Sequence, residues 1–340
     1  LRITRSSSHH HKTTSKLADI SKLNAVPLAN IEKLDAVLAA NIAKVNGLVF
    51  TTAGIPAPAA AYSVRLLDSA LGVPTYTGAA MRVRRDTAGG AGDDDEADIA
   101  FDSGVISLDS AISNASAGVT ATTLGQFLNV GTVAGTTYTN PDSLTVTASC
   151  LTDTWYDQSG NANDATQATQ GKQPQIHDGT VNTDLITENG KPALQPFGNG
   201  DQFENASTGV TAQYAFGVVK TTNSLDSILL TGNSSTSIYV LAGVNGASFA
   251  PSDSSRVNNY YKNGSSYSPA SADAVNDDTL NQTLYAIDMV GNAISDTIIG
   301  YPWSGSRCMY ITQEIVIWNS DQSSNRTGIE TNINGFFGIY

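Results

Sequence analysis

The sequence predicts an all-β sandwich over residues 61–340, preceded by a short N-terminal repeat arm and closed by a C-terminal helix. Three observations carry this. Segments rich in Val, Ile, Tyr and Thr recur with Gly, Asn and Ser clusters between them, the spacing of a sandwich of short strands. A run of turn-forming residues, Asp157-Gln158-Ser159-Gly160-Asn161-Ala162-Asn163-Asp164, follows directly on the strand-like Thr154-Trp155-Tyr156. An eleven-residue repeat fills residues 18–50.

Composition sets the outer limits. The 340 residues exceed an average domain, but one all-β sandwich can reach about 200–250 residues. A chain of this length buries a core without covalent staples, in keeping with only two cysteines, Cys150 and Cys308. Both read as buried thiols, with a pairing between them left open. Eighteen Lys/Arg against 31 Asp/Glu give a net charge of −13, which argues against a nucleic-acid partner. The charge is uneven. Residues 1–50 hold 7 basic and 3 acidic residues (+4), leaving 11 and 28 (−17) for the rest, so a basic arm precedes an acidic body. No apolar run reaches the roughly 18 residues of a membrane span. The start, LRITRSSSHHHKTTSK, lacks the apolar core of a secretory signal, and His9-His10-His11 reads as a solvated tail rather than a metal patch.

The arm repeats as ADISKLNAVPL, ANIEKLDAVLA and ANIAKVNGLVF. Its apolar stripe is Ile20, Leu23, Ile31, Leu34, Ile42 and Val45. Three short units cannot bury that stripe among themselves, so the arm is expected to pack on another subunit, as in a trimer, or on another protein. As helix, the period of 3.67 residues per turn would supercoil right-handedly. Pro27 and Asn46-Gly47 interrupt such a helix, which favours short helical turns. Residues 51–60, with Pro56 and Pro58 amid Ala and Gly, read as a stiff, extended linker.

The body begins near Ala61 with AAYSVRLLDSAL. Residues 80–85 alternate apolar and basic, a strand with one wet face. An acidic Gly-rich loop, Asp93-Asp94-Asp95-Glu96, follows, and a short helix is expected near Thr122–Leu128. Further strands are expected at 214–220, 227–230, 237–241, 284–288, 296–299 and 313–319. Asp321 is placed to cap a final helix whose apolar face carries Ile329, Ile333 and Phe336 or Phe337.

The order AYSxRxL, YxG, RVRR, DIxF and WYDQSGNxND, across residues 61–176, resembles the concanavalin A-like (laminin-G-like) jelly-roll domain of arabinofuranosidase B-type enzymes. The segment Asn189–Phe197 resembles a strand of laminin-G-like domains, and the WYDQSGNxND stretch and the ending QEIxIWNSDQSxNRxxIExNIN resemble those found in phage and marine bacterial surface proteins. The resemblance implies a jelly roll. With the arm, it points to a non-enzymatic structural or adhesive protein at the virion surface: a fibre, spike or decoration bound to other virion proteins and to host glycan. A secreted arabinofuranosidase-like glycoside hydrolase and a bacterial surface adhesin are the alternatives.

Candidate chemistry divides three ways. A glycosidase needs two carboxyl groups about 5–5.5 or 6.5–9.5 Å apart. Asp157, Asp164, Glu188, Glu204, Asp253, Asp288 and Glu314 supply raw material, but no spacing singles out a pair. The enzymes resembled carry their nucleophile well beyond the DQSGN motif, beside neighbouring cysteines. Nothing in residues 176–340 matches that segment, so no catalytic residue carries over. Asp93, Asp94 and Asp95 offer oxygen ligands to Ca²⁺ but lack the alternating spacing of a calcium loop, and they read as a solvated acidic turn. No other cofactor is expected. Self-bonding turn chemistry accounts for Trp155, Tyr156, Asp157, Gln158, Ser159, Gly160, Asn161 and Asp164 as a structural motif. Sugar stacking would use an exposed ring with polar neighbours; Tyr260, Tyr261 and Trp303 are the candidates, with a buried cap on the sandwich as the other reading.

Overall fold

The structure is a computed structural model of the chain. It describes residues 44–45, 48–49, 54–87, 93–129, 148–180, 184–196, 203–205, 210–221, 226–232, 239–244, 247–248, 256–300 and 307–340. The chain divides into two units, Leu1–Ala53 and Gly54–Tyr340. In the first, Lys44–Val45 pairs antiparallel with Leu48–Val49. Short helical turns therefore give way to a ladder there, as suits β-branched Val45 and Val49 flanking an Asn-Gly sequence. Ile20, Leu23, Ile31, Leu34 and Ile42 lie outside the described residues.

The larger unit is mostly β, and among the described residues its strands pair antiparallel except for Arg307–Cys308 with Asp226–Gly232. One sheet has the order Ser265–Tyr267, Asn259–Lys262, Thr283–Asp288, Tyr214–Lys220, Ile311–Trp318, Ala60–Ser63. A second runs Glu204–Asn205, Ala165–Thr166, Ser149–Trp155, Met81–Asp86, Glu96–Ile99, Ile112–Ser113, and Gln175–Asp178 also pairs with Ser149–Trp155. A smaller sheet joins Tyr239–Gly243, Asp226–Gly232 and Thr297–Ile299, with Arg307–Cys308 parallel to Asp226–Gly232.

The central strands of the first sheet are buried almost end to end rather than in alternation. Cross-strand register explains this. Tyr285, Gly217, Ile315 and Tyr62 share one face, where Tyr62 meets Trp155 of the second sheet, ring centroids 5.8 Å apart. Tyr261, Ala286, Phe216 and Val316 share the other, which carries helix Arg326–Phe337. With both faces covered, a strand has no solvent side to mark with polar residues. The helix buries Ile329, Ile333 and Phe337. Asp321 does not cap it: its Oδ1 accepts from Ser323 N at 2.8 Å in the preceding turn, and the cap position is Asn325.

Local chemistry sets the connections. Asn189-Gly190 and Asn263-Gly264 each hold both residues at positive φ (51° and 70°, 50° and 78°), as a two-residue hairpin turn of right-handed strands requires. Thr123 and Ser271 cap helices Leu124–Leu128 and Ala272–Asp278 by accepting from the third backbone N–H.

Two expectations need correction. The segment read as a linker is hydrogen-bonded to the fold from Pro56 onward and largely buried from Pro58, with Pro56 and Ala57 themselves exposed. Pro56 O accepts Trp318 Nε1 at 2.7 Å, and Ala59 N donates to Ile317 O at 2.7 Å, extending the ladder of the edge strand. Nor is the 80–85 strand wet along one face, because Arg84 is buried with its Nε on Gln173 Oε1 at 2.8 Å. Cys150 is a free thiol, fully buried, and burial pushes its pKa above the ordinary range.

One buried ion pair ties sheet to helix. Arg65 donates from Nε and Nη2 to the two oxygens of Glu314 (2.7 and 3.0 Å), and from Nη2 to Asn332 Oδ1 on the helix (2.8 Å). Ser63 Oγ donates a further bond to Glu314 at 2.7 Å, and the guanidinium lies over the Phe336 ring at 5.0 Å. Breaking such a pair strands a charge in the interior. Glu314→Leu is expected to cost about 3–5 kcal/mol in urea unfolding. The double variant Arg65→Met/Glu314→Leu should recover most of that loss.

Candidate functional site

The WYDQSGNxND stretch forms a turn that joins the two larger sheets. Trp155 ends the Ser149–Trp155 strand and is fully buried between Tyr62 and Phe203, at 5.8 and 6.0 Å. The chain then turns back toward residues 58–67, which contain the edge strand Ala60–Ser63 of the other sheet. Gly160 at φ +86° and Ala162 at φ +55° make this possible, since two left-handed positions on either side of Asn161 tighten the loop.

Asp157 is the centre of the turn. Its Oδ1 accepts from Ala61 N and Ser159 N, each at 2.8 Å. Its Oδ2 accepts from Ser159 Oγ at 2.6 Å and Asn163 N at 3.0 Å. Four donors meet one buried carboxylate, as many as its lone-pair sites. Gln158 reaches further along the same strand. Its Oε1 accepts from Leu67 N at 2.8 Å, and its Nε2 donates to Ser63 O and Arg65 O at 3.3 and 3.0 Å. Asn161 donates to Pro58 O and Ala59 O, and Asn163 to Ala59 O at 2.8 Å. Tyr62 Oη donates to Asn163 O, and Trp155 Nε1 to Ser63 O at 3.3 Å. The turn is thus bonded to itself and, more extensively, to a strand about a hundred residues earlier.

Asp164 closes the turn by accepting from Asp157 N at 2.9 Å. Burial lifts its carboxyl above the ordinary aspartate value; the Asp157 N–H bond opposes this and the Asp157 charge adds to it. Burial also raises the Tyr62 phenol, with the Asp157 and Asp164 charges adding. Tyr156 Oη donates to Asp98 Oδ1 at 2.8 Å, beside Arg82 Nη1 at 3.0 Å.

The other sequence candidates fare differently. Glu188 pairs with Lys220 at 2.7 Å, Glu314 with Arg65, and Asp288 accepts from Asn258, Asn259 and Val290 N. Asp94 pairs with Arg84 at 2.7 Å, Asp95 with Arg85, and Asp93 accepts from Thr87 N at 2.8 Å. The three carboxylates thus point to separate partners. Among the described residues no three His, Cys, Asp or Glu side chains are grouped to hold a metal. Tyr260 is buried and leaves the set of sugar-stacking candidates, since alternation turns its ring to the inter-sheet face. Tyr261 is half-buried, with the Arg326 guanidinium 4.0 Å above its ring. Trp303, Asp253 and the Glu204 side chain lie outside the described residues. No described helix is long and apolar enough to cross a membrane.

Two isosteric substitutions separate these roles. Asp157→Asn replaces one acceptor oxygen by an NH₂ facing donors, forfeiting two charge-assisted bonds of about 1.5–3 kcal/mol each. It should lower stability by roughly 3–6 kcal/mol, while EDTA leaves the melting temperature of the parent unchanged. Asp164→Asn keeps the acceptor and removes a carboxylate whose folded-state pKa is raised. The folded state then binds protons more readily than the unfolded one, so the parent loses stability as pH rises through that pKa. Denaturation across pH 4–7 should show the variant gaining on the parent as pH rises.

No family model, curated protein or solved structure matches this chain, so its function is argued from the geometry above.

Proposed function

We propose that this chain is a non-enzymatic structural and adhesive protein of a virion, a fibre, spike or decoration that displays a concanavalin A-like jelly roll toward host glycan. The use made of Asp157 supports the non-enzymatic part most directly. A nucleophile or general base needs a lone pair free for substrate, and the carboxylate at the centre of the most distinctive motif has all of its oxygens engaged within the fold. Glu314, Glu188 and Asp288 are likewise held by internal partners. The assembly role is supported by the arm, whose stripe of Ile20, Leu23, Ile31, Leu34, Ile42 and Val45 would forgo roughly 1.5–3 kcal/mol per large side chain if left in water. A partner subunit or another virion protein covers it. The virion assignment rests on the resemblance of the DQSGN and EIVIWN segments to phage surface proteins.

Two measurements test this. Deleting residues 1–50 should leave a folded, monomeric body that no longer enters particles; normal incorporation would overturn the assembly role. The full chain should release no product from aryl arabinofuranosides or arabinan. Turnover abolished by one carboxylate substitution would make the protein a glycosidase instead.

A further inference from the structure

Glu330 is the one acidic residue of the helix Arg326–Phe337, and it is buried, at 3% exposure. Its Oε2 accepts from Arg326 Nη1 at 2.6 Å, one turn earlier, while its Oε1 has no hydrogen-bond partner. Tyr214 lies two residues before Phe216, on the sheet face that carries this helix, and its Oη is fully buried and likewise unpartnered. We propose that the helix is seated on the sheet by a proton-dependent latch, in which Glu330 is held as the neutral acid and the helix loosens once its proton leaves.

The surroundings favour the neutral acid. A buried carboxylate is costly unless its oxygens are hydrogen-bonded, and here one oxygen has no donor. Arg326 is the only cation of the helix and is shared: it also donates to Gly264 O at 3.3 Å and lies over the Tyr261 ring at 4.0 Å. The strands beneath bring no second cation to the carboxylate. Tyr214 is a phenol raised well above its ordinary value by burial, with Tyr261, Asp288 and Glu330 adding and Arg326 opposing. Asp288, on the neighbouring strand, is itself acidic. Tyr340, beyond the helix, is raised by burial with the Glu330 charge adding. Lys220 is paired with Glu188, Lys262 with Asp278, and Arg65 with Glu314. Lys191 lies over Phe336, six residues and roughly 9 Å further along the helix axis. Asp68 caps the turn Ser69–Leu71, on which the helix also rests. Burial accordingly lifts the Glu330 carboxyl above the ordinary glutamate value, against the pull of Arg326. Such a group contributes its stability in full below the unfolded value of about 4.3 and loses it as pH rises through the folded one. The helix is thus tightest in mild acid, the reverse of a seat held by the Arg326–Glu330 ion pair, which acid would break.

Hydrogen exchange of the full chain tests the latch, read at the amides of residues 329–337 from pH 4 to 7 and corrected for the intrinsic base-catalysed rate. Glu330→Gln keeps the side-chain shape without titrating, and the pH dependence due to Asp164 is common to both chains. Protection in the parent should fall by about threefold or more across that range relative to Glu330→Gln, since one pH unit of displacement in a carboxyl changes an equilibrium about tenfold. Carbon-13 NMR of the Glu330 carboxyl in the parent asks the same question without relying on the variant's fold, and should show it titrating above the ordinary value of about 4.3. One shared pH profile in the two chains, protection that rises with pH in the parent alone, or a carboxyl titrating at or below the ordinary value overturns the latch.

Discussion

A single buried carboxylate fastens the turn after Trp155 to the edge strand of the opposite sheet. Asp157 gathers four donors, three of them backbone or side-chain groups of its own turn and one the backbone N–H of Ala61 in the opposite sheet. Leaving any of these buried donors unpaired would cost about 1–3 kcal/mol, so the turn and the strand fix each other. The strand needs this. Ala60–Ser63 is an edge strand, paired on one side with Ile311–Trp318 and otherwise open to mispairing. Asp157 takes its Ala61 N–H and the Gln158 N–H meets its Ala61 carbonyl at 2.8 Å, so the turn covers the edge with hydrogen bonds of ladder type.

The opposite side of the same strand is fastened by charge. Ser63 and Arg65 both reach Glu314, and Arg65 continues to Asn332. The short stretch from Pro56 to Leu67 therefore meets the turn, the neighbouring strand and the final helix, although it is only a dozen residues long. Burial of an ion pair is weak evidence for net stability, and its place here is to specify one register of strand against helix.

The sequence by itself determined what depends on neighbours in the chain. Asn-Gly pairs at 189–190 and 263–264 make tight hairpins because only such residues accept left-handed backbone at both positions. The Asp157–Asp164 run makes a turn for the same reason, and the apolar stripe of the last helix shows its buried face. Nothing local in the sequence separates Tyr260 from Tyr261, because which face of Asn259–Lys262 meets the core depends on what packs against it. Only the tertiary structure decided that, and it chose Tyr260. It also decided that the Pro56–Ala59 segment packs, since its partners Trp318, Asn161 and Asn163 lie roughly 100 to 260 residues away. Arg84 looked like a wet-face residue and is buried because Gln173 and Asp94 come to it across the sheet. Backbone preference is written residue by residue, whereas the desolvation of a charge or a ring depends on which distant groups arrive to satisfy it.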